Sequence, residues 1–261
     1  MKLPLYQIDA FTSRLFRGNP AAVVILQDWL SDEVLQAISA ENNLSETAFV
    51  IPRPDIAPLR WFTPTVEVDL CGHATLATAH VLFRYYFPSL DTVQFSTRGG
   101  RLSVSRNHEF LTLDFPATPG ASVEVTKPLI AALGAQPREV LFSGKVMAVL
   151  EAESDVRGLQ PDLGLIASLE AQGVIVTAPG DTVDFVSRYF APKAGIPEDP
   201  VTGSAHCVLI PYWSSRLDKH RLVAQQLSSR GGELLCEMRG DRVSIGGNTV
   251  EYLSGEITIE P

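Results

Sequence analysis

The sequence predicts an α/β (α+β) protein made of two pseudo-symmetric halves, each a mostly antiparallel sheet or barrel wrapped around a central helix. Three observations carry this. Sequence words recur at a nearly constant spacing. Two helical segments are apolar on almost every face. The chain has 261 residues, 45% of them hydrophobic and 20% charged, which is ample for two cores and fits an ordinary globular protein.

The repeat is read first, because it sets the frame. Arg60-Trp61-Phe62-Thr63-Pro64 returns as Arg188-Tyr189-Phe190-Ala191-Pro192, an offset of 128. Gly72-His73-Ala74 returns as Gly203-Ser204-Ala205 at 131, and Thr97-Arg98-Gly99-Gly100 as Ser229-Arg230-Gly231-Gly232 at 132. Leu111-Thr112-Leu113 returns as Val243-Ser244-Ile245, again at 132, and a weaker match links Ala21-Ala22-Val23-Val24 to Met147-Ala148-Val149-Leu150 at 126. Matches in one order with so little drift indicate two copies of one fold. The join falls near Pro116-Ala117-Thr118-Pro119-Gly120, where two prolines and a glycine mark a linker. The expected domains are residues 1–117 and 118–247.

In order along the first half, Tyr6–Phe11 and Ala21–Leu26 read as strands. Ser31 stands where it can cap a helix whose Val34, Leu35 and Ile38 share a face, with Asp32 and Glu33 at its positive end. Thr47–Ile51 and Leu59–Thr63 are strands, and residues 72 to about 86 form an Ala- and Leu-rich helix ahead of Pro88. Val93–Thr97, Leu102–Arg106 and Phe110–Phe115 are strands on short turns, with Arg98-Gly99-Gly100-Arg101 as a hairpin signal. In the second half, Thr126 precedes a helix over 128–133 that Gly134 stops; another starts at Pro161 and stops by Gly173; a third runs from Gly203 to about Arg216. The helices at 72 and 203 lack a polar face and are therefore expected inside their halves. Residues 246–261 have no counterpart in the first half, and Glu256-Ile257-Thr258-Ile259 alternates as an extra strand would.

Several classes of function are excluded. No apolar run reaches the roughly 18 to 20 residues of a membrane span. Pro4 and Asp9 interrupt any signal-peptide core, and Cys71, Cys207 and Cys236 are too few and scattered for a disulfide scaffold, so a cytoplasmic setting is expected. A net charge of −9 with no basic run argues against a nucleic-acid partner. There is no dinucleotide fingerprint, Walker loop or zinc-ligand spacing, so neither cofactor nor metal is expected.

The chemistry is expected at the starts of the two buried helices. A helix start presents free N–H groups and partial positive charge, and glycine lets a ligand approach the backbone. Gly72 and Gly203 can thus hold a carboxylate without Lys or Arg. Glu46 breaks the symmetry, since its counterparts near Gln172-Gly173 are uncharged. It reads either as a solvated loop residue or as a general acid/base whose pKa partial burial would raise. His73, in place of Ser204, suits proton shuttling or a backbone bond at the helix start. Asp199, before Pro200, reads as a turn or cap residue, with Asp69 as its symmetry partner.

At these positions the chain resembles the PhzF-like phenazine-biosynthesis isomerase family of the diaminopimelate epimerase superfamily. The motifs are Gly18-Asn19-Pro20-Ala21-Ala22-Val23, Leu44-Ser45-Glu46-Thr47-Ala48-Phe49, Asp69-Leu70-Cys71-Gly72-His73-Ala74-Thr75 and Glu198-Asp199-Pro200-Val201-Thr202-Gly203-Ser204-Ala205. The resemblance implies cofactor-free proton transfer on a small anionic metabolite in an interdomain cleft, and a homodimer. It implies Glu46 as the main acid/base, with His73 and Asp199 assisting. Backbone N–H groups at Gly72, His73, Gly203 and Ser204 would hold the substrate carboxylate, with Asn19, Ser45, Cys71 and Asp69 around the substrate. The last strand, from about 248 to 261, would return to the first half. Two departures matter. The Asp69-Leu70-Cys71 stretch marks the broad branch of the family rather than its phenazine-making members, and no cysteine in Asp199-Pro200-Val201-Thr202 pairs with Cys71 as a two-cysteine racemase requires.

Overall fold

The structure is a computed structural model that describes residues 1–260. Its contacts divide the chain into Met1–Asp114 with the segment from Gly246 onward (unit 1) and Phe115–Ile245 (unit 2). No helix among the described residues is long and apolar enough to cross a membrane.

In unit 1 the strand Lys2–Ala10 pairs antiparallel with Asn19–Ile25 on one side and with Thr249–Thr258 on the other, where a bulge falls at Gln7/Ile8. Asn19–Ile25 runs parallel to Glu46–Val50, placing Ala21 opposite Glu46. Glu46–Val50 is antiparallel to Ala57–Phe62, which is parallel to Thr92–Thr97. Thr92–Thr97, Gly100–Asn107 and Phe110–Pro116 then form an antiparallel meander. The expected hairpin is a two-residue turn, Arg98-Gly99, between paired Thr97 and Gly100. The helix Gly72–Val81 is buried all round, as its lack of a polar face requires. A second helix, Asp32–Asn42, buries Leu35 and Ile38 against Val24, Phe49 and Phe62 of the sheet.

Unit 2 repeats the pairing scheme. Val146–Val149 runs parallel to Val174–Pro179, and that strand antiparallel to Phe185–Ala191. Phe185–Ala191 is parallel to Arg221–Gln226, which is antiparallel to Gly232–Arg239. Its central helix, Gly203–Leu217, buries Ala205, His206, Cys207, Val208, Leu209, Ile210 and Trp213. The repeated Arg–aromatic–Phe words do the same work in each unit. Arg60 clamps Glu67 bidentately at 2.7 and 2.9 Å and stacks 5.0 Å from the Phe62 ring. Arg188 clamps Glu198 at 2.7 and 3.0 Å and stacks 4.9 Å from Phe190. A planar guanidinium satisfied on its edge by carboxylate and on its face by a ring is how Arg tolerates partial burial.

Local differences have identifiable causes. The helix expected over 72–86 changes at Leu82 into a π-helical turn, Leu82–Tyr86, where the Phe87 N–H reaches back to the Leu82 carbonyl at 2.7 Å. Pro88 follows and disfavours helical backbone at Phe87. The helix expected from Pro161 to Gly173 covers only Leu163–Ser168, with Asp162 accepting from the Leu165 N–H at 2.9 Å as the cap. Glu153–Gly158 is helical although the sequence signalled nothing there; one and a half turns are too short for a periodic pattern. Ser31 occupies the N-cap position, but its side chain makes no cap bond. Thr126 does cap its helix, and Gly134 ends it at φ +66°.

Candidate active site

Glu46 opens the strand Glu46–Val50, so its side chain leaves the sheet at the strand's start. His73 is the second residue of the helix Gly72–Val81, and Cys71 is that helix's N-cap residue, making no side-chain cap bond. Asn19 begins the strand beside the one that carries Glu46. Gly18 lets the chain enter that strand: its φ is +65°, and a Cβ there would sit 2.1 Å from the Ala10 carbonyl oxygen.

These elements bring four predicted residues together. Glu46 Oε2 lies 3.2 Å from His73 Nε2. At the opposite edge of the ring, Nδ1 is 3.1 Å from Asn19 Nδ2 and 3.5 Å from Cys71 Sγ. Asn19, Cys71 and His73 are buried, and the Glu46 side chain is 12% exposed. Glu46 Oε2 and His73 Nε2 sit at ion-pair distance, yet neither is aligned in a hydrogen bond. Both retain capacity to receive or deliver a proton, and catalytic contacts often tighten only around substrate.

The electrostatics follow from this crowding. Burial opposes a charged His73 ring, but the Cys71 sulfur and the Glu46 carboxylate outweigh it and raise the imidazole well above its ordinary value. Burial, then the Glu46 charge, pushes the Cys71 thiol up to about 11. Cys71 is therefore a neutral thiol near pH 7, and the partner that favours imidazolium there is Glu46. The donor atoms of Glu46, Cys71 and His73 lie within 4.8 Å of one another, a spacing metal ligands can have. The imidazole stands between the other two, with Cys71 at Nδ1 and Glu46 at Nε2, an arrangement that suits a proton relay better than one ion's coordination shell.

The helix start has N–H groups that an anion could engage. The first helical bond here runs from the Thr75 N–H to the Cys71 carbonyl at 3.2 Å, so the Gly72 and His73 N–H groups precede the intrahelical ladder. No acidic residue occupies the first turn. Ser45 is half-buried immediately before Glu46. Asp69 is not in the cluster: its side chain is 71% exposed and pairs with Arg98 Nε at 3.3 Å.

In unit 2, Asp199 ends the strand Ile196–Asp199 and is buried. It accepts from the Thr202 hydroxyl, while Thr202 is the N-cap residue of Gly203–Leu217 and makes no side-chain cap bond. Buried Gln226 ties this segment together: its Nε2 donates to the Asp199 carbonyl at 2.8 Å, and its Oε1 accepts from the Thr202 N–H at 2.8 Å. Nothing in the sequence singled out Gln226, because a lone Gln in a strand carries no pattern. Gly203 is buried and Ser204 half-buried at the helix start. His206 and Cys207 are core residues, with burial holding the His206 ring down to about 4.

A mixed sheet around a buried helix recurs in both units, a fold shared with a predicted epimerase of Pseudomonas aeruginosa at a TM-score of 0.76 and 19% identity, and in unit 1 a carboxylate and an imidazole meet at the helix head. Residues 8–255 match the family described as phenazine biosynthesis-like protein, and the chain belongs to that family. An uncharacterized isomerase of Pseudomonas aeruginosa is 54% identical, the match covering 99% of this chain and 100% of that one. The human phenazine biosynthesis-like domain-containing protein is 42% identical over 99% of this chain and 100% of its own. The crystal structure of a PhzF family protein from Enterococcus faecalis superposes with a TM-score of 0.97 at 47% identity, covering 99% of this chain and 100% of that chain.

Proposed function

We propose that the protein is a cofactor-independent isomerase that moves a proton along a small carboxylate-bearing metabolite. Glu46 takes the proton from carbon and returns it to another position of the conjugated system. His73 is oriented by Asn19 and Cys71, and its ring supports the charge change on Glu46. The Gly72 and His73 N–H groups hold the substrate carboxylate at the positive end of the helix. In unit 2, Asp199 assists, and the Gly203 and Ser204 N–H groups serve as a second carboxylate holder. The observation that carries this reading is the buried Glu46–His73 pair, 3.2 Å apart with neither facing atom engaged in a hydrogen bond.

An epimerase or racemase with Glu46 and either Asp199 or Cys71 on opposite faces is the second reading; its Cys71 form is the weaker, because a thiol pushed up to about 11 is scarcely ionised near neutrality. The test is NMR in deuterated buffer with a panel of small unsaturated, amino and hydroxy carboxylates. Double-bond migration with deuterium incorporation is expected, with Glu46→Gln slower by about 10²–10⁴-fold. Exchange at one stereocentre without migration would establish the epimerase instead. Full turnover by Glu46→Gln would remove Glu46 from the mechanism.

A further inference from the structure

Unit 1 contains a polar cavity of about 130 Å³ at the other end of the helix that begins at Gly72. Its lining includes His80, Arg84, Arg106, His108, Glu109 and Thr249. His80 follows His73 by seven residues on one helix, about 10 Å along the axis. The cavity is therefore separate from the Glu46–His73 cluster. Its volume is that of about four waters at ~30 Å³ each, room for a molecule of a few heavy atoms.

Three features point to a ligand. First, the His80 ring has an unpaired nitrogen. Its Nδ1 lies 2.8 Å from Thr249 Oγ1, while its largely buried Nε2 has no partner among the described residues. Burial, and more weakly the Arg84 charge, keeps the ring below its ordinary pKa against the opposing Glu251 and Glu109 carboxylates, so the ring is neutral near pH 7. Whichever of Nδ1 and the Thr249 hydroxyl donates in their bond, Nε2 faces no partner among the described residues, a costly state unless something else pairs with it.

Second, the two guanidiniums are under-used. Arg60 and Arg188 are each closed by a bidentate carboxylate. Arg106 meets Asp91 only at 3.8 Å and Arg84 meets Glu251 only at 3.9 Å, both beyond hydrogen-bond length. Arg106 is nevertheless held in place, by the Pro88 carbonyl and by the Phe83 ring 4.8 Å from its centre. Third, the backbone here is unusual. Arg84 lies on the π-helical turn Leu82–Tyr86, and His108 has φ +56° in the adjoining hairpin turn. Both kinds of feature concentrate at functional sites. Complementing the helix C-terminus would account for Arg84 alone.

We propose that this cavity binds a small carboxylic acid that also carries an amino or hydroxyl group. Arg84 and Arg106 supply the cationic edges and Glu109 is the lining's one carboxylate; with Asp91 and Glu251 also standing 3.8 and 3.9 Å from the two guanidiniums, a singly charged ligand suits the site better than a dianion. Arg106 and Arg84 hold the ligand carboxylate, the Nε2–H tautomer of His80 donates to it, and Glu109 accepts from the ligand's own donor. Phe83 and Leu111 cover the carbon skeleton. A phosphate dianion would leave Glu109 facing excess negative charge.

The test is titration of the protein with L-alanine, L-lactate and inorganic phosphate, reading His ring signals by NMR and affinity by calorimetry. Saturable shifts at His80 with alanine or lactate are expected, and Arg106→Gln and Arg84→Gln each weaken that binding at least about tenfold. Glu46→Gln leaves it unchanged, which separates this site from the proposed active site. Binding of phosphate only, loss of binding in Glu46→Gln, or silence at His80 with ~50 mM of either acid would overturn the proposal.

Discussion

Replacing Glu46 with Gln should lower the pKa of His73 substantially. Gln keeps the shape of Glu and removes its charge. The charge lies 3.2 Å from His73 Nε2, and the two side chains are 12% and 4% exposed. At an effective dielectric of ~20, a unit pair at that distance is worth about 5 kcal/mol. That figure is a ceiling, because water drawn to the polar amide offsets part of the loss, but the direction is fixed: the His73 pKa falls. The assay is an NMR titration of the His73 ring in both proteins. The sign extends to stability. In wild type the raised pKa gives a contribution that is full below the ordinary 6.5 and is lost as pH rises through the folded-state value. Urea unfolding of wild type should therefore weaken in that alkaline window, and the Gln variant should lack that slope. A His73 pKa that stays put in Glu46→Gln, or that lies below 6.5 in wild type, would refute the electrostatic account.

Three further outcomes follow from the geometry. Arg188→Gln should cost about 3–5 kcal/mol in urea unfolding, because it strands Glu198 and the Val156 and Leu159 carbonyls that the guanidinium also satisfies; a loss under 1 kcal/mol would contradict the clamp. Gly18→Ala should destabilise by more than 1 kcal/mol and lower turnover by displacing Asn19 from His73, and an unaffected melting temperature would show that the tight approach to Ala10 is not needed. At pH 8 a thiol pushed up to about 11 is roughly 0.1% thiolate, so Cys71 should resist iodoacetamide in the folded protein and react once unfolded; rapid labelling of folded protein, read by mass spectrometry, would count against its buried setting.

The elements legible in the sequence are those with local signals. Alternation marked the strand Phe110–Pro116, a two-residue Gly turn marked the Thr97–Gly100 hairpin, and apolarity on every face marked the helices at Gly72 and Gly203 as interior. The duplication was visible for a similar reason. Arg60 and Arg188 make the same clamp in each unit, so their neighbourhoods kept the same words.

Periodicity and turn chemistry act over a few residues, and the sequence determines them by itself. It also isolated Glu46 and His73 as the places where two matching halves differ. Which side chains meet was decided by tertiary packing. Asn19 and His73 are 54 residues apart and share a hydrogen-bond contact only because neighbouring strands and a buried helix converge. Asp69 lies close in sequence to Cys71 and His73, yet an ion pair with Arg98 on the next hairpin holds it in solvent. Gln226 and the cavity beside His80 left no trace in the sequence, since each depends on elements distant along the chain being brought within a few ångströms.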